Sequence, residues 1–396
     1  MPRLVALAAF IPVIAVSVDA QSVRRLDNTR ITPAFADSVA SALVHRHRIT
    51  GLQVAIVNDG ALAYSGAFGL RQKSPDQPME LTSITWTASI TKAVFATYVM
   101  HLVERDAFPL DSPMVALLRQ PLDQYADYRS IAARVIVDPR WGRVTARQML
   151  SHTSGLGNFA RFEPDGQMQL HHDPGSTYRY SGEGLNMLQV AIEERYGKPL
   201  DVLMDSALFA PHGLVSTSMA FKPRFEPFMA DRFSTNGQFL AKTRRNVRAA
   251  GSMTANAEDL AKFAALLMDD RIISRASRRA MLAPQVQIRT IHQFPVPGDS
   301  GESEETRRVG LAYGLGWGLL QHTRFGPAFF KEGHGDGAVT YLICFPRRRD
   351  CMVMLANDEN GEWAFRELLE TLFGNTETPW EWEGYTHEYL RRANPQ

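Results

Sequence analysis

Ser89-Ile90-Thr91-Lys92 is the most informative stretch of this chain. Residues 93–102 are apolar nearly all round, which predicts a buried helix whose first turn carries Ser89. Residues three apart on a helix are neighbours, so the amine of Lys92 can reach the hydroxyl of Ser89. A serine hydroxyl is a weak nucleophile until a base takes its proton, and the tetrapeptide therefore predicts an activated serine. The alternative is a helix cap followed by a surface lysine.

Length and composition fit a globular protein with a sizeable core. The chain has 396 residues, of which 45% are hydrophobic and 21% charged, and its formal net charge of +1 gives no reason to expect a nucleic-acid partner. Residues 1–20 contain a cation, Arg3, followed by an apolar run that ends just before Ala20. This pattern predicts a secretory signal peptide and therefore a periplasmic or secreted protein. The alternative is a membrane anchor, but the run contains Pro12 and is shorter than the ~20 residues that span a bilayer, so we expect no stable membrane span.

The chain contains two cysteines, Cys344 and Cys351, on either side of a predicted loop at 346–349. A loop of this length between two strands would place them opposite each other. In an oxidising compartment they could form a cross-strand disulfide, and otherwise they are two small apolar side chains under the sheet. The sequence leaves both alternatives open.

Hydrophobic periodicity places strands near both ends of the chain and helices between them. Apolar runs at 51–57 and 61–68 flank Asn58-Asp59-Gly60, a strong hairpin signal. Helices are predicted at 33–48, 145–150, 183–196, 254–269 and 361–373, and late strands at 316–321, 327–331, 339–345 and 351–356. The fold class is therefore α/β of the α+β type: one mainly antiparallel sheet from both chain ends, flanked by helices, with a mostly helical region inserted.

Several further segments occur in an order that resembles the serine β-lactamase and penicillin-binding-protein superfamily, especially its class C, D-peptidase and esterase-like branch. They are Thr87-Ala88-Ser89-Ile90-Thr91-Lys92, Ser151-His152-Thr153-Ser154-Gly155, Tyr178-Arg179-Tyr180-Ser181-Gly182, Ala250-Gly251-Ser252 and Tyr313-Gly314-Leu315-Gly316-Trp317-Gly318. The resemblance implies a β-lactamase-like unit over 21–396, with an α/β part at about 24–91 and 236–396 and a helical part at about 92–235. It also implies a serine hydrolase that cleaves an ester, an amide or D-peptide, or a β-lactam in a small-molecule or peptide substrate. No cofactor and no metal ion are expected, and the oligomeric state is left open.

The resemblance assigns roles to three residues. Ser89 becomes the nucleophile, Lys92 its proton-shuttling partner and Tyr180 the second base. By chemistry alone Tyr180 could equally be a core aromatic residue. The family often has asparagine two residues after this tyrosine, where it can hold the lysine and the substrate amide, whereas this chain has Gly182. Glu183 could instead neutralise Lys92, or simply be a carboxylate in the first turn of a helix.

A third motif of the family lies on a strand beside the nucleophile and reads Lys-Thr-Gly or His-x-Gly. The segment Glu332-Gly333-His334-Gly335-Asp336-Gly337 is the candidate. Either His334 takes the first position and Asp336 replaces the glycine, or Gly333-His334-Gly335 is the register. We expect His334, Gly335, Asp336 and Gly337 to bind substrate and to supply an oxyanion-hole NH, because glycines let backbone approach a ligand.

This segment also suggests a substrate class. The resemblance implies that a lysine of this motif helps to bind a substrate carboxylate, but the segment offers no such lysine. It adds Asp336, whose charge would repel a carboxylate. Two like charges ~4 Å apart repel by about 1 kcal/mol in water and about 4 kcal/mol at an effective dielectric constant near 20. We therefore expect neutral esters or amides, or amine-bearing peptides, to be better substrates than carboxylate-bearing ones.

Gly182 and the irregular third motif also fit a different class of protein, a non-catalytic wall-binding or scaffold protein with the same fold.

Two other patterns point to loops. Gly298-Asp299-Ser300-Gly301 only superficially resembles a protease nucleophile segment, and His171-His172 lacks the companion residues of a metal site.

Overall fold

A computed structural model describes residues 22–242, 246–294 and 301–386. The predicted signal peptide and Gly298-Asp299-Ser300 lie outside these residues. None of the helices in the described ranges is long and apolar enough to cross a membrane.

The strands of the described residues are short at the sheet edge and long at its centre. In chain order they are β1 (Val23–Arg24), β2 (Arg30–Ile31), β3 (Gly51–Asn58), β4 (Ala61–Lys73), β5 (Asp76–Pro78), β6 (Thr85–Trp86), β7 (Arg232–Phe233), β8 (Phe239–Ala241), β9 (Thr254–Ala255), β10 (Val286–Gln287), β11 (Leu311–Tyr313), β12 (Gly318–Leu320), β13 (Ala328–Gly335), β14 (Ala338–Phe345) and β15 (Asp350–Ala356).

The α-helices of the described residues are mostly in the middle of the chain. They are α1 (Pro33–His47), α2 (Ile90–Val103), α3 (Met114–Leu117), α4 (Ala133–Val137), α5 (Ala146–Leu150), α6 (Gly182–Tyr196), α7 (Leu200–Met204), α8 (Ala257–Met268), α9 (Arg275–Met281), α10 (Glu304–Arg308), α11 (Gly361–Leu372) and α12 (Trp380–Glu383). The five helices predicted from periodicity are confirmed, with ends shifted by up to three residues.

A nine-stranded sheet in the order β10-β11-β12-β13-β14-β15-β3-β4-β5 forms the centre, and each pair of neighbours is antiparallel. Strands from the two ends of the chain meet where β15 pairs with β3. This confirms the predicted mainly antiparallel sheet built from both chain ends. The predicted hairpin is also present, since Asp59 and Gly60 turn β3 into β4 with φ of 52° and 81°.

Two hydrophobic cores cover the two faces of the sheet. Alternate residues of β13 divide between them: Phe329 packs with the core that contains α2 and α8, and Phe330 with the core that contains α1 and α11. Helix α2 lies inside the first core, with every residue from Ile90 to Met100 buried. The predicted buried helix is therefore confirmed, and its burial includes the side chain of Lys92.

Two features of the β13–β15 hairpins differ from or add to the sequence prediction. The strand predicted to end at residue 331 continues to Gly335, because β13 keeps pairing with β14 until Gly335 faces Ala338. On the next hairpin, Cys344 faces Cys351 and the two form a disulfide. That bond resolves the alternatives that the sequence left open for the cysteines.

Candidate active site

Ser89 lies at the N-terminal end of α2, directly after a strained residue. Ala88 has a φ of 44°, a conformation that costs a non-glycine residue energy. Hydrogen bonds hold the turn on both sides: Thr87 N donates to Met253 O over 3.0 Å, and Thr91 Oγ1 donates to Ala88 O over 2.6 Å. The turn therefore fixes the Ser89 hydroxyl at the mouth of a buried helix, where backbone NH groups favour negative charge.

The side chain of Lys92 reaches back one turn to Ser89. Its Nζ donates to Ser89 Oγ over 2.9 Å and to the carbonyl oxygen of Ala250 over 2.5 Å. Lys92 is 1% exposed, and burial, with a contribution from the nearby Lys331, holds its pKa below the usual value although Tyr180 opposes the shift. A lowered pKa makes the neutral amine more available as a base.

The carbonyl that receives the second hydrogen bond of Lys92 is itself held by α6. Asn186 Oδ1 accepts from Ala250 N over 3.1 Å, and Gln189 Oε1 accepts from Ala249 N over 2.8 Å. Asn186 was missed in the sequence, because it lies beyond the Tyr180 motif and its partner is a backbone group 64 residues away. Its place one helical turn after Gly182 is the only signal that the sequence offers.

Tyr180 lies between two lysines. The amine of Lys92 is 4.9 Å from the centre of its ring and that of Lys331 is 5.1 Å away. Tyr180 also lies close enough to Lys92 to favour the protonated form of its amine. Its ring packs against His152, with ring centres 4.3 Å apart. The structure therefore brings Ser89, Lys92 and Tyr180 together, as the resemblance implies.

His152 supports this tyrosine as a neutral ring. The imidazole is fully buried, and its Nδ1 accepts from Ser181 N over 3.1 Å. Burial, together with Lys331 and Lys92, holds the pKa of His152 well below its usual value. A neutral imidazole fits between these groups, since a third cation there would be repelled.

Gly182 leaves room for an aromatic ring. A Cβ atom added at Gly182 would overlap the ring of Phe159, so an asparagine side chain could not occupy this position without displacing that ring. The backbone N of Gly182 donates to Asn158 Oδ1 over 2.9 Å. Burial raises the pKa of Glu183, and the neighbouring Tyr128 opposes this shift. Glu183 was a candidate partner for Lys92, but in the structure its neighbour is Tyr128.

The strand beside the nucleophile corrects the predicted third motif. On β13 the residues Lys331, Gly333 and Gly335 face α2, and the residues between them face the other core. A Cβ atom added at Gly333 would lie 2.9 Å from Ser89 N and 2.8 Å from Thr87 O, so glycine is required where the strand passes the nucleophile. The register is therefore Lys331-Glu332-Gly333.

The expectation that this segment offers no lysine was wrong. Lys331 had been assigned to the end of a strand that in fact continues to Gly335. It is fully buried, and it occupies the lysine position of a Lys-x-Gly motif with Glu332 where the family has threonine. The sequence contained the signal, since the spacing from Lys331 to Gly333 matches Lys-Thr-Gly.

His334 and Asp336 do not take the first and last positions of the motif. The Nε2 atom of His334 lies 3.4 Å from Glu362 Oε1, and its ring packs 5.0 Å from that of Tyr385, on the face of the sheet away from α2. Burial lowers the pKa of His334 to about 4. Asp336 is exposed, and its backbone oxygen accepts from Arg232 Nη1 over 2.7 Å.

Gly335 and Gly337 are glycines for different structural reasons. A side chain at Gly335 would overlap the indole ring of Trp86, so the strand can pass this ring only with glycine. Gly337, with a φ of 78°, completes the turn from β13 to β14. Strand β12 pairs only with the first part of β13, Ala328 to Phe330, and the later part borders the pocket with Glu332, His334 and Gly335.

Lys331 and Glu332 form a buried ion pair. The carboxylate of Glu332 accepts from Lys331 Nζ and, over 2.9 Å, from Gln293 Nε2. Despite burial, Lys331 holds the pKa of Glu332 below its usual value, and Glu332 holds the pKa of Lys331 above its usual value. Both groups are therefore ionised at neutral pH.

Ser89 opens into a cavity of about 730 Å³. Besides Ser89, Lys92 and Tyr180, its walls contain aromatic rings and several charged side chains: Trp86, Phe159, Phe162, Phe294, Asp127, Arg161, Glu183, Arg248, Glu332 and Asp336. Within the described residues, no group of three or more His, Cys, Asp or Glu side chains is placed to hold a metal ion. His171 instead lies 2.8 Å from Glu163.

A family model described as Beta-lactamase matches residues 36–373 of the chain. Among curated proteins, the chain is 22% identical over 268 residues to a probable fimbrial assembly protein, FimD serogroup H1 of Dichelobacter nodosus, with 62% of this chain and 64% of that protein covered. It is 26% identical over 207 residues to esterase EstB of Burkholderia gladioli, with 46% and 50% covered. The matches thus span about half to two thirds of these relatives.

Among solved structures, the chain resembles an octameric penicillin-binding protein homologue from Pyrococcus abyssi. The TM-score is 0.69 at 20% identity, with 87% of this chain and 79% of that chain covered. At this identity the likeness concerns the fold, and it agrees with a mixed α/β architecture around a large antiparallel sheet.

Proposed function

The chain belongs to the β-lactamase family, a family of serine hydrolases, and we propose that it is an exported hydrolase that forms an acyl-enzyme on Ser89. The observation that carries the proposal is the 2.9 Å hydrogen bond between Lys92 Nζ and Ser89 Oγ in a site where Lys92 is 1% exposed. A surface lysine next to a capping serine would have neither this burial nor a second anchor such as Ala250.

In the acylation step the neutral amine of Lys92 removes the proton from Ser89 as its oxygen attacks the carbonyl carbon of the substrate. The N-terminal end of α2 lowers the energy of the negative charge that develops. The oxyanion of the tetrahedral intermediate lies between Ser89 N and the backbone of β13 beside Gly333, where the missing side chain leaves space. Tyr180, which lies beside Lys92, passes a proton to the leaving group and takes one back from the Lys92 ammonium, and water or another acceptor then releases the acyl group.

The bond cleaved is an ester, an amide or D-peptide, or a β-lactam, and neutral esters or amides are favoured. The esterase named among the relatives supports the ester. Asp336 contributes less to the preference for uncharged substrates than expected, because it is exposed and solvent screens its charge. The preference now depends on Lys331 and Glu332.

Export rests on the predicted signal peptide, with support from the disulfide between Cys344 and Cys351. Such bonds persist in oxidising compartments such as the periplasm and the exterior of the cell. A periplasmic or secreted location follows from the two features together.

The proposal is tested with the mature chain and a chromogenic neutral ester such as 4-nitrophenyl butyrate. We expect saturable hydrolysis that falls to background in Ser89→Ala, with the same thermal unfolding midpoint in both proteins. No hydrolysis of this ester, of a D-alanyl peptide or of a β-lactam by the folded wild type would contradict the proposal and favour the non-catalytic binding protein.

A further inference from the structure

The ion pair of Lys331 and Glu332 is closed inside the protein, since the two side chains are 0% and 2% exposed. Glu332 is among the residues that line the cavity, whereas Lys331 is not, and its side chain is 0% exposed. The carboxylate of Glu332 therefore neutralises the ammonium group of Lys331 inside the protein, and a ligand that enters the cavity meets no free cation at this position. Gln293, which donates to the same carboxylate over 2.9 Å, holds it in that place.

We propose that Glu332 makes this site selective for substrates that carry no carboxylate near the scissile bond. It does so by pairing internally with Lys331, the lysine of the third motif, so that this ammonium group is not available to a substrate carboxylate. The inference rests on the proposed hydrolase function and adds a substrate class and the residue that sets it.

Other cations near the cavity do not replace Lys331. Arg248 Nη2 lies 2.9 Å from Asp127 Oδ2, and both side chains are about half exposed. The guanidinium of Arg161, also exposed, lies over the rings of Phe159 and Phe162 at 4.3 and 4.5 Å. Solvent and salt screen such exposed groups, whereas the buried Glu332 is screened little.

The ring of Phe159 supports the same substrate class. It occupies the space beside Gly182 where the resemblance places an asparagine that would bind a substrate amide. An apolar ring thus replaces the amide contact of an asparagine. The carboxylate contact of the third-motif lysine is lost as well, because Lys331 is paired with Glu332. Both changes weaken binding of a peptide-like substrate with a terminal carboxylate, and both tolerate an uncharged ester.

The test compares 3-acetoxybenzoate with its methyl ester, two substrates that differ only in a carboxylate on the leaving group. For each, kcat/KM is divided by the rate constant of hydroxide-catalysed hydrolysis, which removes the difference in intrinsic reactivity. We expect the wild type to favour the methyl ester by at least ~30-fold, because the pocket offers the anion no free ammonium group to offset its lost hydration.

Glu332→Gln should narrow this ratio by at least ~10-fold, chiefly through faster hydrolysis of the anionic ester, because Lys331 then becomes available to it. In the double variant Lys331→Met/Glu332→Gln the gain for the anion should disappear, which separates a freed ammonium from a loosened pocket. Asp336→Asn should move the ratio by less than ~3-fold, since the charge that it removes is screened.

The wild-type ratio needs no variant and so remains decisive if Glu332→Gln fails to fold. Equal efficiency on the two esters would overturn this inference and leave the hydrolase function intact. A ratio that collapses in Asp336→Asn but not in Glu332→Gln would overturn it as well and assign the selectivity to Asp336. Absence of turnover of both esters would overturn the inference, and if a D-alanyl peptide and a β-lactam are not hydrolysed either, it would overturn the hydrolase function as well.

Discussion

The side-chain amine of Lys92 lies 2.9 Å from the hydroxyl oxygen of Ser89, in an interior where Lys92 is 1% exposed. A buried amine is costly to keep charged, so the fold gives up stability to place a base beside a nucleophile. Activity and stability should therefore respond in opposite directions when this amine is removed.

Lys92→Met should lower kcat for a neutral ester by about 10³-fold, the scale of a general base, and should not destabilise the fold. Burial lowers the pKa of Lys92, so the folded state binds fewer protons than the unfolded state, and the cost of burial disappears as pH approaches the unfolded value. Lys92→Met should thus raise the free energy of unfolding, relative to the wild type, by more at pH 7 than at pH 10. Urea unfolding at both values checks this, and a variant with unchanged kcat would contradict the assigned role.

The pair of Lys331 and Glu332 should behave as a coupled unit in stability. Removal of one partner leaves an uncompensated buried charge, so Lys331→Met and Glu332→Gln should each lower the free energy of unfolding by about 3–5 kcal/mol. The double variant should lose much less than the sum of the two. A double-mutant cycle by chemical unfolding measures the coupling, and strictly additive effects would mean that the two groups are not paired.

Glu362, next to His334, should make stability depend on pH. Burial, together with Glu359, raises its pKa to about 8, so between its ordinary value and about 8 the folded state holds a proton that the unfolded state has lost. Stability is therefore lost as pH rises through that range. Glu362→Gln should therefore raise the free energy of unfolding by less than about 1 kcal/mol at pH 5 and by about 5 kcal/mol at pH 9.

The matched control for Glu362 is Glu367→Gln on the same helix, where the carboxylate is half exposed and paired with Arg46. Its effect on the free energy of unfolding should stay small and nearly constant with pH. A similar pH dependence in both variants would show that the effect does not come from the buried carboxyl.

The disulfide between Cys344 and Cys351 should leave no thiol that reacts in the denatured, unreduced protein. Reduction should lower the free energy of unfolding by about 2 kcal/mol, because the bond closes only a short loop. Unfolding curves with and without reductant measure this, and Cys344→Ala/Cys351→Ala, which has no bond to lose, is the control. Two reactive thiols in the exported protein would contradict the bond.

The sequence predicted the elements whose signals are local. The hairpin around Asp59 and Gly60, the buried helix after Ser89 and the contact between Ser89 and Lys92 follow from turn chemistry, apolar patterning and helical spacing. The same is true of the antiparallel sheet, because strands with short connections at both ends of the chain leave few other arrangements.

The parts that depend on long-range contacts could not be read from the sequence. For Lys331 the spacing to Gly333 was a local signal, but its place in the site depends on β13 continuing past the predicted strand end and alternating its side chains towards α2. The ring of Phe159 fills the space at Gly182, and Asn186 holds Ala250, through contacts between segments that no local pattern joins. Their places follow from packing in three dimensions.

The most direct test of the central claim, an activated Ser89, is intact-mass analysis after reaction with a fluorophosphonate probe. The mature wild type should gain the mass of one adduct. Ser252→Ala, which removes another serine of the cavity wall, should gain the same adduct, and Ser89→Ala should gain none. An unlabelled wild type, under conditions that label a control serine hydrolase, or an adduct that persists in Ser89→Ala, would contradict the account.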